Sequence, residues 1–189
     1  MVCTDRIADM WTDASDDYDR IVSRELRNPR DVDHWRHELD MRLGDEPRDV
    51  LDVGCGPGFF SIMLSRLGHR VTSLDASEGM LRAARRNLTW YGIEPHVRHG
   101  DVVTLDGVAD SSVDAVVSRD VVWTLHDPAA AYRRWFQVLR PGGLVLVYDG
   151  NYRADRTGVR HSIWQALSNG LIMLTEGRRS GPVSYTHLR

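Results

Sequence analysis

From Asp49 to Tyr148 the sequence alternates short, nearly continuous apolar runs with segments of helical period, and few folds accept that rhythm. Asp49–Val53, Arg70–Leu74, Pro95–Arg98, Val113–Ser118 and Leu144–Tyr148 read as strands. Between them, Phe59–Leu67 reads as a helix ending at Gly68, and Glu78–Tyr91 as one ending at Gly92. Pro128–Leu139 reads as a third, closed by Pro141-Gly142-Gly143. Within Glu78–Tyr91, the apolar residues Met80, Leu81, Ala84 and Leu88 share one side. Strands that are apolar on both faces must be covered on both, which implies a parallel sheet with helices on each side. Right-handed crossovers then leave a doubly wound α/β sheet of about five strands. Ligands of such sheets sit outside the carboxyl ends of the strands, so chemistry is sought at the strand tips.

Composition narrows the class. The chain has 189 residues, room for one α/β domain and too little for two. With 42% hydrophobic and 27% charged residues it is globular, neither disordered nor fibrous. A net charge of -3 supplies no basic field for nucleic acid or an anionic membrane. All 24 basic residues are arginine, which excludes Schiff-base and P-loop lysines. The two cysteines, Cys3 and Cys55, form neither a disulfide framework nor a zinc pattern, and no metal site is expected. No apolar run approaches the roughly 20 residues of a membrane span, and MVCTDRIADM is not a secretory signal, so a cytoplasmic location is expected.

The flanks differ from this central unit (residues 49–151). Residues 1–48 are polar with spaced apolar positions, and form an expected helical cap. One helix is expected around Ile21, Val22 and Leu26. A second is expected over His34–Leu43, with Trp35, Leu39 and Leu43 at four-residue spacing, and Pro29 and Pro47 breaking the pattern. In residues 152–182, His161–Thr175 has a helical apolar face through Ile163, Leu167, Leu171 and Leu174. Gly177–Arg189 shows no strand pair, and residues 183–189 read as a non-native tail of a longer natural chain. On this reading the fifth strand is left as a bare sheet edge.

Three strand tips carry candidate ligands. The first strand runs into Gly54-Cys55-Gly56-Pro57-Gly58, where alternating glycines let the backbone turn sharply and approach a ligand closely. The second ends at Asp75, about 20 residues beyond Gly54, a spacing that lets a carboxylate accept from both ribose hydroxyls. Its alternative is a helix cap, a role Ser77 fits better because Glu78 begins the helix. The third is followed by Gly100-Asp101-Val102: the carboxylate can accept from an exocyclic amine and Val102 can pack on a flat base, or the pair is a simple turn. A dinucleotide fingerprint would need a glycine where Phe59 stands, which argues against NAD.

Together these segments resemble the class I S-adenosylmethionine (SAM)-dependent methyltransferase family. VLDVGCGPGFFS (50–61) is similar to its first motif and LDAS (74–77) with GMLRAAR to its second. GD (100–101) is similar to the third, DAVVSRDVVWTLHDP (114–128) to the fourth-strand motif, and VLRPGGLVLVYDGN (138–151) to the fifth. The match covers roughly residues 11–151 and is closest to small-molecule enzymes of the ubiquinone/menaquinone type. The resemblance implies a Rossmann-like sheet of order 3-2-1-4-5, lacking the family's last two strands. It further implies SAM as cofactor and a small-molecule methyl acceptor, with a non-catalytic SAM-binding protein as the alternative.

For this chain it implies that Gly54, Cys55, Gly56 and Gly58 surround the methionine and ribose of SAM. Asp52 would anchor the glycine loop or the SAM amino group. Asp75 would take the ribose diol, Ala76 and Met80 the adenine face, Asp101 and Val102 the base edge, and Arg119 the region near the methyl. Asp120 stands where many relatives carry asparagine. Trp11 and Tyr18 resemble a lid segment, with Tyr18 toward the SAM carboxylate, or are packing residues of the cap. His126 lies on the right loop for a base, but His126-Asp127-Pro128 is also a helix start. Trp123 lines a pocket or is a structural tryptophan.

Overall fold

The computed structural model describes residues 2–149 and 185–188. Its sheet has the order β3-β2-β1-β4-β5-β6. The strands are β1 (Asp49–Val53), β2 (Arg70–Asp75), β3 (Val97–His99), β4 (Val113–Arg119), β5 (Leu139–Tyr148) and β6 (Tyr185–Leu188). The first five are parallel, in the expected order 3-2-1-4-5. β6 pairs antiparallel with β5, Val145 facing Leu188 and Tyr148 facing Tyr185. The edge of β5, expected bare, is therefore hydrogen-bonded, and a strand stands where the sequence pattern showed none. The register is carried by backbone groups, to which side-chain pattern is blind. The helix expected over His161–Thr175 lies outside the described residues.

Successive strand residues divide between two cores, as period-two side chains must. Val50, Ala115, Val117, Leu146 and Tyr148 face one layer. Leu51, Val53, Val116, Val145 and Val147 face the other. The first layer is closed by α3 (Pro29–Leu43) and α4 (Phe59–Arg66), the second by α6 (Pro128–Val138). Trp35 of α3 meets Phe60 and Tyr148 edge-on, with centroids 5.0 and 5.2 Å apart.

The cap has three helices where the pattern marked two. α1 (Val2–Asp13) and α2 (Ser15–Arg27) pack on α5 (Glu78–Trp90), and α3 begins at Pro29 instead of His34. Proline starts this helix because its missing N–H costs nothing in the first turn, and the Asn28 side chain accepts from Arg30 N. α1 approaches α5 so closely that a Cβ on Gly79 would lie 2.8 Å from Thr12 O. Ser77 caps α5 by accepting from Met80 N, as its place before Glu78 implied. β3 starts two residues later than expected; Pro95 has no N–H to give a ladder, while His96 O accepts from Ser73 N. β5 begins five residues earlier than its apolar run, because Leu139 already pairs with Val113 before an irregularity at the glycines.

At the amino ends of the strands, away from the ligand side, Arg140 bridges Asp49 and Asp114, and Arg70 adds a second contact to Asp49. His69 is buried nearby, its Nδ1 accepting from Arg48 N at 3.3 Å. Burial, then the Arg48 charge, pushes its pKa below the ordinary value.

Two outcomes are expected. Trp35→Ala lowers the unfolding free energy by about 3–5 kcal/mol in denaturant titration, because α3 loses its central contact. His69 stays neutral when folded but takes a proton when unfolded below about pH 6.5, so protein stability falls as pH drops through that value. In His69→Gln that part of the pH dependence is absent, as measured by unfolding curves between pH 5 and 7.

Candidate functional site

The carboxyl ends of β1, β2 and β4, with α1 above them, line a cleft that is open to solvent.

The floor is the turn after β1. Gly54 has φ +71°, and its N–H donates to Leu74 O at 2.8 Å, which folds the turn back onto β2. A Cβ there would lie 2.3 Å from Val121 Cγ2, so only glycine lets the β4 loop close against the turn. Gly56 N donates to Asp75 Oδ2 at 2.9 Å. Asp75 Oδ1 accepts from Ser77 N at 2.8 Å. The carboxylate at the tip of β2 thus ties the turn to the start of α5 while forming part of the cleft wall. Burial raises its pKa, and backbone N–H groups of Ser77, Gly56 and Ala76 partly offset that.

Of the residues singled out in the sequence, Tyr18, Gly54, Gly56, Asp75, Ala76, Met80, Asp101, Val102, Arg119 and His126 all line this cleft. Trp11 lines it too, edge-on to Tyr18 with centroids 5.7 Å apart. Both Trp11 and Tyr18 are therefore wall residues as well as packing residues. Asp101 makes the expected turn, its Oδ1 accepting from Val103 N at 2.6 Å, and the residue also lines the cleft. Val102 is fixed from behind, its carbonyl accepting from Trp135 Nε1 at 2.7 Å.

Asp52, Cys55 and Gly58 are not on the wall; the structure uses them beneath the turn. Asp52 is buried and accepts from Ser61 Oγ at 2.5 Å, with Ser73 Oγ 2.7 Å from the same hydroxyl. Burial pushes its carboxyl up to about 7. This network joins β1, α4 and β2, which fits the loop-anchoring role. The Cys55 thiol is buried, and burial raises its pKa. Gly58, at φ +92°, caps α4.

The β4 tip turns sharply. Asp120 has φ +57°, and its N–H donates to Tyr148 O. Asp149, at the end of β5, accepts from Val121 N at 2.8 Å and Trp123 N at 3.0 Å, fixing the 3-10 turn Val122–Thr124. Burial, then the Asp120 charge, pushes Asp149 up to about 7. Sequence reasoning missed this residue as a support, although its place at the end of an apolar strand was a usable signal. It also missed Glu25, whose Oε1 accepts from Arg119 Nη2 at 2.7 Å; nothing in a sequence links positions so far apart. Trp123 is half-buried with its Nε1 donating to Asp120 O, and is not on the wall. His126 stands exposed on the wall, while Asp127 caps α6 by accepting from Ala130 N, so the helix-start reading of this segment holds. Among the described residues no cluster of three or more metal-ligating side chains occurs, and no helix is long and apolar enough to cross a membrane.

Comparison with known proteins agrees with this geometry. The sequence profile of the methyltransferase domain matches residues 51–147. A ubiquinone biosynthesis O-methyltransferase of Ruegeria pomeroyi is 36% identical over 113 residues, 58% of this chain and 45% of the relative. A malonyl-[acyl-carrier protein] O-methyltransferase of Serratia marcescens is 33% identical over 140 residues, 74% of this chain and 51% of the relative. A solved structure from Methanococcus maripaludis, described as a candidate S-adenosyl-L-methionine-dependent methyltransferase, superposes with a TM-score of 0.65. Its identity is 25%, and the match covers 74% of this chain and 64% of that one. The chain spans about half the length of the curated relatives it matches. These relatives indicate SAM as the cofactor. A parallel sheet of order 3-2-1-4-5, a glycine turn clamped by the β2 carboxylate, and a profile match spanning that unit lead to one assignment: the chain belongs to the class I SAM-dependent methyltransferase family.

Proposed function

We propose that this protein transfers the methyl group of SAM to a small-molecule acceptor. The observation that carries the reading is Asp75, a wall carboxylate oriented through both oxygens by backbone N–H groups. Lone pairs left over on those oxygens suit two vicinal hydroxyls.

In this reading Gly54 and Gly56 face the ribose and methionine, and Asp75 accepts from the ribose diol. Ala76, Met80 and Val102 sandwich the adenine, Asp101 accepts from its exocyclic amine, Tyr18 faces the amino-acid end, and Arg119 lies near the methyl. Asp52, Cys55 and Gly58 act indirectly by shaping the turn. SAM supplies a methyl already activated by a sulfonium. The protein's task is then to hold donor and acceptor in near-attack geometry and to exclude water. Ile7, Ala8 and Trp11 of α1, with Leu125, give the cleft an apolar lining that suits both tasks. A proton acceptor is needed only when the methyl acceptor must lose a proton, and His126 is then the wall imidazole placed to take it. The names of two relatives, ubiquinone biosynthesis O-methyltransferase and malonyl-[acyl-carrier protein] O-methyltransferase, favour oxygen as the acceptor atom.

Calorimetric titration tests the cofactor reading. SAM and its demethylated product, S-adenosylhomocysteine, should bind and NAD should not. Asp75→Ala should weaken the nucleoside by about tenfold or more, as loss of charge-assisted hydrogen bonds implies. Undiminished affinity in that variant would end the reading. Gly54→Ala should abolish binding and lower the melting temperature together, because its Cβ meets Val121.

A further inference from the structure

The loop after β4 supplies four residues of the cleft wall, Val121, Thr124, Leu125 and His126. A side chain from another strand holds it. Asp149, at the carboxyl end of β5, is buried, and its two oxygens divide the loop between them. Oδ1 accepts from Val121 N at 2.8 Å and Oδ2 from Trp123 N at 3.0 Å. Other bonds close the loop on itself: Trp123 Nε1 donates to Asp120 O, and Thr124 Oγ1 to Val121 O. Val121 also stands against the glycine turn, where a Cβ on Gly54 would lie 2.3 Å from its Cγ2. A shift of the loop therefore reaches the wall and the turn together.

The charge on Asp149 is held at a cost. Burial, then the Asp120 charge, pushes its carboxyl up to about 7, against the backbone N–H groups of Val121, Trp123 and Val122. Two titratable groups face it. Asp120, on the tip of β4, has its Oδ2 3.4 Å from Arg119 Nε. Tyr132, on α6, has a buried hydroxyl without a hydrogen-bond partner. Burial, then the Asp149 charge, pushes that hydroxyl up to about 12, so it stays protonated across the neutral range. An ionised acceptor holds an N–H roughly twice as strongly as a neutral one. Each Asp149 oxygen holds one N–H of the loop, so a proton on either weakens one of the two bonds.

We propose that Asp149 is a positioning residue whose ionised carboxylate holds the β4 loop in its ligand-binding form, so that the cleft's affinity for its adenosyl ligand depends on the proton at this one buried site. Ligand and proton then oppose each other. The bound form keeps Asp149 ionised, binding near neutral pH releases a proton, and affinity falls as pH drops. The inference rests on the SAM reading of the cleft for its choice of ligand.

Two measurements test it. The first needs no ligand: in backbone-amide NMR spectra of the wild type, the Val121 and Trp123 signals should titrate together with a midpoint of about 7. Signals that stay fixed across that range overturn the proposal. The second is calorimetric titration with S-adenosylhomocysteine. Wild-type affinity should fall about tenfold from about pH 8 to about pH 6, where roughly one molecule in ten keeps the ionised carboxylate. Proton release should appear as a dependence of the binding heat on the buffer's own ionisation heat. Asp149→Asn, a stand-in for the protonated acid, should bind about tenfold more weakly than the wild type at about pH 8 and vary less than about twofold with pH. A variant that keeps the wild-type pH dependence overturns the proposal and assigns the proton to Asp52 or His126. So does a variant that binds as tightly as the wild type. Both wild-type measurements stand without any variant that folds. Wild-type binding that does not change with pH overturns the linkage alone, whereas no binding at any pH overturns the SAM reading and the linkage together.

Discussion

One carboxylate holds the site together. Asp75 accepts from Gly56 on one side and Ser77 on the other, and so fixes the turn after β1 against the start of α5. Without an acceptor there, two inward N–H groups would be buried unpaired, and the turn would have no reason to keep its left-handed glycines. Asp75 also lines the cleft, so one group both shapes the turn and forms part of the wall. The rest follows by contact: Gly54 presses on Val121, Val121 is tied by Asp149, and Asp149 ends β5.

The cap is attached by different means at its two ends. α3 is seated by apolar packing, with Trp35 among Phe59, Phe60 and Tyr148. α1 and α2 meet α5 through polar contacts, Thr12 with Ser77 and Asp19 with Arg86 and Asn87, while Val22 and Leu26 of α2 enter the apolar core. Of these polar contacts the Arg86–Asp19 pair is exposed, and an exposed pair contributes little. Arg119 and Glu25 add a part-buried link between α2 and the sheet.

The sheet was legible because period is a local property. Near-continuous apolar strands, and glycine or proline at the helix ends, gave the five parallel strands and the helices α4, α5 and α6 within a few residues. The helix caps Ser77 and Asp127 were readable for the same reason, since a cap acts over three residues. Ten of the thirteen candidate site residues line one cleft because the strand-tip rule depends only on topology. The three that do not, Asp52, Cys55 and Gly58, share the motif of those that do; a motif gives the turn and not which of its faces meets the ligand. α1 was missed because its apolar stripe is sparse and its partner, α5, is far along the chain.

Taken alone, the sequence determined the layered α/β architecture, the strand order through its resemblance, and the three strand tips that line the cleft. Period, glycine freedom and spacing are carried within short stretches, so no folding is needed to see them. Tertiary structure decided what depends on distance between remote segments: Glu25 on Arg119, Asp149 beneath the β4 loop, and β6 along the edge of β5. Those contacts arise from desolvation and backbone pairing, which act only once the chain has brought the partners together.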